Sequence, residues 1–516
     1  MRIVVAIFFM GVVMAAGAQT PEDKKASEWV GALKLGDDAK EARVEAVVAQ
    51  HLRAVKMYND EHVPMPKSAH DSLMNGLRKD LADSQVNKIL DKYTVGKVDF
   101  TLRGYKAIVP DLTPQEEAVI RKNLEQAREE AMDVKNMKQI SAVFEIYKTK
   151  NEQYLNSNGR NWHELFGAYV RQVKRKKIVV AEEFLYDTAG FPECHAATIA
   201  ETPGGLVAAY FGGTKERNPD VCIYVSRKAQ GAKVWTAPVN VANGVQGNGV
   251  RYACWNPVLY QIPAGDLLLY YKIGPSPAKW KGWLIRSKDG GASWSKPVAL
   301  PEGFLGPIKN QPVALSNGTL ICPTSVEGDG WKIHFELSAD GGKTYKMGGA
   351  VPAAADLKAI QPTILLHKDG TIQALSRSQN RAILSTESKD GGLSWSTLEA
   401  TALPNNNSGI DGVTLADGRQ LLVYNHVLPP VGETKGERSP LNVAVSPDGK
   451  DWYAALVLED DHAGQYSYPS VIQSKDGMVH IVYTYHRKKI RYVEVDPSKL
   501  ELKKIENGVW PETVKK

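Results

Sequence analysis

The chain has 516 residues, 43% of them hydrophobic and 24% charged, which excludes a long disordered chain and leaves room for more than one domain. Its 64 basic and 58 acidic residues give a formal charge of +6. So mild a balance, with Lys and Arg scattered and no aromatic interleaving, excludes nucleic acid as a partner.

The chain opens with Arg2 and the apolar run IVVAIFFMGVVMA, followed by the small residues AGAQ at 16–19. This is the pattern of a secretory signal at 1–18, cleaved after Ala18. The run is short for a membrane span, and no later segment is long and apolar enough to cross a bilayer. The expected mature protein is periplasmic or secreted, without stable membrane insertion. The sequence says nothing about oligomeric state.

Residues 19–175 read as an α-helical domain. AKEARVEAVVAQHLRAVKMYND (39–60) sets Val44, Val47, Val48, Leu52 and Val55 at helical spacing. In LTPQEEAVIRKNLEQAREEAM (112–132), Thr113 is an N-cap, Pro114 takes the first helical position and Glu116 closes a capping box. No cluster of catalytic groups stands out in this half. It reads as a helical bundle that packs on the rest or binds a partner.

After VKRKKIVVAEEF the periodicity changes. LVAAYFGG, CIYVS, LLLYYKIG, GTLICPT, TIQALSR, QLLVYNH and MVHIVYTY are short strands separated by Gly, Pro, Asp and Asn. Many short strands with turns mean a sandwich, a barrel or a propeller. A repeat narrows the choice. SKDGGASW (287–294), SADGGKTY (338–345), SKDGGLSW (388–395) and SPDGKDW (446–452) share one pattern, with a weaker copy in SRKAQGAKVW (226–235). A unit of about fifty residues suits one four-stranded propeller blade. In each copy Gly supplies a positive φ, Asp bonds local amides and the aromatic tucks under the turn. The repeat is therefore a structural staple. Residues 180–500 form the propeller on this reading, and 501–516 a C-terminal tail. Cys194, Cys222, Cys254 and Cys322 fit no zinc spacing. They read as small buried residues, with room for one disulfide.

These repeats resemble the Asp-boxes of the sialidase (neuraminidase) superfamily, over about 180–500. The resemblance implies a six-bladed all-β propeller behind the α-helical domain. FPECHAATI, GGTKERNPDV, RYACWNPVLYQ, GPIKNQPV and YSYPSVIQSKDGMVHIVYTY resemble bacterial sialidase-like proteins. The helical half resembles an uncharacterised N-terminal domain of Bacteroidota-type secreted proteins, which implies no activity. Sialidases use three arginines for a carboxylate, a Tyr nucleophile assisted by Glu, and an Asp acid/base. By resemblance Tyr468 takes the nucleophile position and Asp220 the acid/base position. Arg377 and Arg438 take two arginine positions, with Arg381 a second choice for the first. Two positions depart: Glu193 stands where an RIPA-like motif has its arginine, and Gln361 stands where the assisting Glu would be. A neutral amide cannot take a proton from a phenol, and Glu193 would repel a carboxylate.

Read from the residues alone, Glu193, His195 and Asp220 could supply general acid/base chemistry at a glycosidic oxygen. Tyr468 needs a neighbouring base or cations to act as a nucleophile; Tyr466 has the same composition case without the positional match. Arg251, Lys272, Lys309, Arg377, Arg438 and Arg487 lie near motifs of different blades. If they converge they form a cationic pocket for carboxylate, uronate or sulfate. Trp255, Trp280 and Trp331 could stack on sugars, and Asn310, Asn407 and His426 could meet hydroxyls. There is no metal-ligand cluster, phosphate-binding glycine loop or Gly-x-Ser-x-Gly elbow, so no cofactor or metal is expected. The partner expected is a glycan or oligosaccharide. Three functions follow: hydrolysis of a terminal, acidic sugar; elimination or another cleavage on uronate- or rhamnose-containing glycans; or glycan binding without catalysis.

Overall fold

Eight helices precede the first strand among the described residues, which are 19–328 and 330–516 of this computed structural model. The expected signal at 1–18 lies outside them. The chain divides into two units between Val170 and Arg171.

In the helical unit, Thr20 caps Pro21–Gly31, Asp37 caps Asp38–Asp60 and Asn136 caps Met137–Ser157. The box read at Thr113 forms. Thr113 Oγ1 accepts the Glu116 amide at 3.2 Å, and the Glu116 carboxylate accepts the Thr113 amide at 2.9 Å. Two cores result. Val44, Val48, Leu52, Leu73, Leu77 and Ile89 fill one, with Val47 packed at its edge. Leu102, Ile120, Leu124, Phe144 and Leu155 fill the other. Among the described residues no helix is long and apolar enough to cross a membrane.

The second unit is a six-bladed β-propeller, six antiparallel sheets each of four or five strands. The innermost strands, in blade order, are Glu193–Thr202, Cys254–Gln261, Val313–Ala314, Ala359–Leu366, Asp411–Thr414 and Tyr466–Gln473. Each sheet then runs outward in sequence order, except the sixth. Its outermost strand is Val179–Phe184, paired with Lys489–Val495. The first strand of the unit thus closes the last blade. Apolar side chains mesh across every blade-to-blade contact. Trp255 shares a core cluster with Phe211, Tyr345 with Tyr270, Phe335 with Ile364, Leu365 with Leu422, Tyr466 with Val443, and Ile199 with Val482.

The stretch 501–516, expected as a tail, returns to blade five. Lys503–Lys504 pairs with Tyr453 and Ala454, and Ile505 enters that blade's core, with Trp510 and Val514 packed against it. All four cysteines are buried and unpaired.

Each Asp-box sits between the third and fourth strands of its blade. In the box at 388–395, Ser388 Oγ accepts the Gly392 amide at 2.9 Å and Asp390 Oδ1 accepts the Ser394 amide at 2.9 Å. Gly392 has φ of 86°, where a Cβ would be strained. Trp395 then stacks on Phe335 of the preceding blade, centroids 3.9 Å apart and planes 17° apart. The box is a staple between blades as well as within a turn. Trp395→Ala should therefore destabilise the propeller by about 3–5 kcal/mol, whereas Lys389→Ala on the same exposed turn should leave it unchanged; urea unfolding of both variants checks this.

Candidate functional site

Four innermost strands break their ladder near their first residues. The register shifts between His195 and Thr198, Trp255 and Val258, Ile360 and Thr363, and Ser467 and Ser470. Within each shift one non-glycine residue takes a left-handed conformation: Ala196 (φ 54°), Asn256 (φ 30°), Gln361 (φ 56°) and Tyr468 (φ 54°). In three of them Pro257, Pro362 or Pro469 follows and has no amide to give the ladder. The backbone strain recurs at one level of the ring, and such strain is stored where geometry matters. Because the strands alternate in direction, this level shares a face with the loops joining second to third strands. The Asp-boxes lie on the opposite face.

Gln361 and Tyr468 meet at that level. The phenol oxygen of Tyr468 accepts from Arg377 Nη1 at 2.6 Å and from Gln361 Nε2 at 3.2 Å. Arg377 Nη1 also donates to Gln361 Oε1 at 3.2 Å, which fixes the amide with its NH2 toward the phenol. Arg377 Nε donates to Asn407 Oδ1 at 2.9 Å, and Trp331 packs 5.1 Å from the guanidinium. The other amide atom, Asn407 Nδ2, is buried and has no partner among the described residues. Arg438 lies 5.6 Å from the Tyr468 ring and donates to Ser467 Oγ at 3.2 Å. The His195 ring packs 4.2 Å from that of Tyr468, with Nδ1 2.8 Å from Thr484 Oγ1. Lys309 lies beneath, bonded to Asn310 Oδ1 and to the carbonyls of Ile410 and Pro469.

The electrostatics follow from burial and crowding of like charge. Burial, then Arg487, Arg438, Arg377 and Lys309, press His195 well below the ordinary imidazole value, so it is neutral near pH 7. Burial lowers Arg438 to about 10 and Lys309 to about 8. Two carboxylates oppose these cations from loops between second and third strands. Glu216 is ion-paired with Arg487 and acts on Arg438. Glu327 is pushed up, first by burial, with Glu216 adding and Arg377 opposing.

The structure thus brings together Tyr468, Arg377, Arg438, Gln361, His195 and Lys309, with Arg487 beside them. Seven other expected residues make their contacts elsewhere. Arg251 is exposed and donates to the Asp220 carbonyl at 3.1 Å. Asp220 spends its carboxylate on its own loop, accepting the Thr214 amide at 2.7 Å and hydroxyl at 2.9 Å. Glu193 is half-buried at the start of its strand, where its charge acts on Cys194. Lys272 is fully buried between blades two and three and donates to the Pro307 carbonyl, so it offers nothing to a ligand. Trp255 donates to the Gly274 carbonyl at 2.8 Å as a core residue, His426 bonds the Gly508 carbonyl at 2.8 Å, and Arg381 bonds the carbonyls of Pro429 and Pro430. Sequence reasoning missed Glu216 and Glu327. Both lie in second-to-third-strand loops, a signal that marks Asp220 equally and so does not by itself single them out.

A family described as BNR repeat-like domain matches residues 204–481, more than half of the chain. A family described as protein of unknown function (DUF3826) matches 20–65 and 63–175. Among solved structures, a protein of unknown function from Dyadobacter fermentans is 18% identical with a TM-score of 0.51, covering 61% of this chain and 98% of its own. The intramolecular trans-sialidase from Ruminococcus gnavus, in complex with oseltamivir carboxylate, is 14% identical with a TM-score of 0.51, covering 64% and 99%. The NanB sialidase from Streptococcus pneumoniae is 12% identical with a TM-score of 0.50, covering 62% and 71%. These likenesses establish a shared propeller. No curated protein matches the chain.

Lys272 gives a test of the burial argument. Burial pushes it down to about 7, so between pH 7 and its ordinary value the unfolded chain binds the proton more tightly than the folded one. Its charge costs stability below pH 7, and that cost is relieved as pH rises. Relative to Lys272→Met, the wild type should gain up to about 1.4 kcal/mol per pH unit from pH 7 to 9, read from denaturant midpoints along that series.

Proposed function

This chain belongs to the BNR repeat-like domain family, and from that premise we propose that it is an exported, sialidase-like enzyme that hydrolyses a terminal acidic sugar from glycans. One observation carries the reading. At the strained level of the ring a phenol oxygen receives two fixed donors, and the buried amide Asn407 Nδ2 beside them is unpaired. An unpaired buried donor costs about 1–3 kcal/mol unless a ligand oxygen meets it. Arg377 and Arg438 supply the positive charge that a carboxylate needs.

In this scheme the acidic group of the sugar lies against Arg377 and Arg438, and Asn407 donates to one of its oxygens. Tyr468 attacks the anomeric carbon, its oxygen held by the Arg377 cation and the Gln361 amide. Gln361 cannot take the phenol proton. His195 is neutral, packs on Tyr468 and is the basic group in contact with it that can. Water then displaces the phenol and the proton returns.

The same Gln361 favours a second reading, a propeller that binds acidic glycans without cleaving them. Incubation with sialylated, uronylated and rhamnosylated oligosaccharides, followed by mass analysis, separates the readings. Added water marks hydrolysis, and an unsaturated product marks elimination. Binding without turnover leaves the second reading. Under the first, Arg377→Ala should lower kcat/KM on the order of 10²–10³-fold, and Tyr468→Phe should abolish turnover while an acidic glycan still binds.

A further inference from the structure

We propose that Glu327 is the proton donor to the leaving group, and that the cavity beside it receives the sugar that departs. The proposal rests on the hydrolase reading above.

The geometry begins with one hairpin. Strands Leu320–Val326 and Lys332–Ser338 of blade three are joined by a loop that carries Glu327 at one end and Trp331 at the other. Trp331 lies 5.1 Å from the Arg377 guanidinium, the group that holds the Tyr468 oxygen. The hairpin therefore borders the Arg377 guanidinium. Glu327 also lines a cavity of about 590 Å³, within the range of small-ligand pockets. Its wall includes Trp280, Lys281, Glu302, Phe304 and Glu327, contributed by two blades. Glu327 lines this cavity and feels the charge of Arg377 in the axial cluster. A glycan whose terminal acidic sugar is held by Arg377 and Arg438, and whose next sugar lies against Trp280 and Phe304, would pass its glycosidic oxygen by this carboxyl.

The surroundings suit the role. Burial raises Glu327 above the ordinary carboxyl value, Glu216 raises it further, and Arg377 and Arg217 oppose. Lys281 and Glu302 line the same cavity. A carboxyl in a partly desolvated place beside another carboxylate keeps its proton to higher pH. Glu216 is itself ion-paired with Arg487.

The chemistry balances. As the phenol oxygen bonds to the anomeric carbon, the bond to the glycosidic oxygen breaks and the Glu327 proton goes to that oxygen. The aglycone leaves as an alcohol. The Glu327 carboxylate then takes a proton from the water that displaces Tyr468. One water is consumed and no oxidant or reductant is needed.

A proton donor matters for a poor leaving group and little for a good one. Glu327→Gln in the full chain should be compared on sialyllactose and 4-nitrophenyl sialoside, and in parallel on a glucuronyl disaccharide and 4-nitrophenyl glucuronide. On the disaccharide that the wild type cleaves, kcat/KM should fall about 10²–10⁴-fold, and the basic limb of its pH profile should vanish. On the matching aryl glycoside the loss should stay under about tenfold, since nitrophenolate departs without a proton. The exposed substitution Lys281→Ala should raise KM for the disaccharide alone. Equal losses on both substrates, or an unchanged basic limb, overturn the role of Glu327. A wild type that cleaves neither class overturns the hydrolase reading itself.

Discussion

The pairing of Val179–Phe184 with Lys489–Val495 turns a linear chain into a ring. Without it the sixth blade would expose an open strand edge, and nothing covalent would hold blade six against blade one. With it, Tyr468 of blade six and His195 of blade one come within 4.2 Å between ring centroids. Arg377 of blade four then reaches the same phenol oxygen. No pair among these three residues is close in sequence. The cluster exists because the circle closes.

Closure alone would bring together any side chain at the axis. The strand bulges decide which ones arrive. A regular strand alternates its side chains across the sheet, whereas a left-handed residue at the bulge turns one side chain out of that alternation. Gln361 and Tyr468 are both such residues, and they bond to each other. The Pro that follows each removes an amide that would otherwise draw the strand back into register. The dipeptides Gln361–Pro362 and Tyr468–Pro469 are therefore instructions about direction as well as composition.

That logic explains how far the sequence could be read. The Asp-boxes were legible because their chemistry is local: Ser388, Asp390 and Gly392 satisfy one another within five residues. So were the blade count and the convergence of Arg377, Arg438 and Tyr468, through resemblance to a repeat family. What could not be read depends on partners far along the chain or on how a loop turns. Lys272 and Lys309 are both buried lysines near motifs, yet one ends against a carbonyl between blades and the other beneath the phenol. Asp220 and Glu216 lie four positions apart in one loop. The first is consumed by Thr214 and the second reaches Arg487. Nothing in the composition of that loop says which carboxylate faces the axis. The end of the chain was misjudged for a similar reason. Polar residues at 501–504 read as a tail, and the apolar Ile505, Trp510 and Val514 that anchor them are too few to show a pattern.

The energetics of the axis run against stability. Cations crowd each other, Lys309 is held in a place that favours its neutral form, and an amide donor lacks an acceptor. Groups so arranged would relax if the frame could move, by turning outward to water. They are kept in place because each blade is locked to the next by apolar contacts remote from the axis, such as the Trp395–Phe335 stack on the opposite face. The two faces therefore divide the work by polarity. One is built of local turns and aromatic packing, and it steadies the frame in which the other holds strained backbone and crowded charge. An anionic sugar would relieve several of these at once, since its carboxylate offsets the crowded positive charge and its oxygens meet Asn407 Nδ2. Under the hydrolase reading, the departure at Gln361 bears on what happens to that sugar after it arrives.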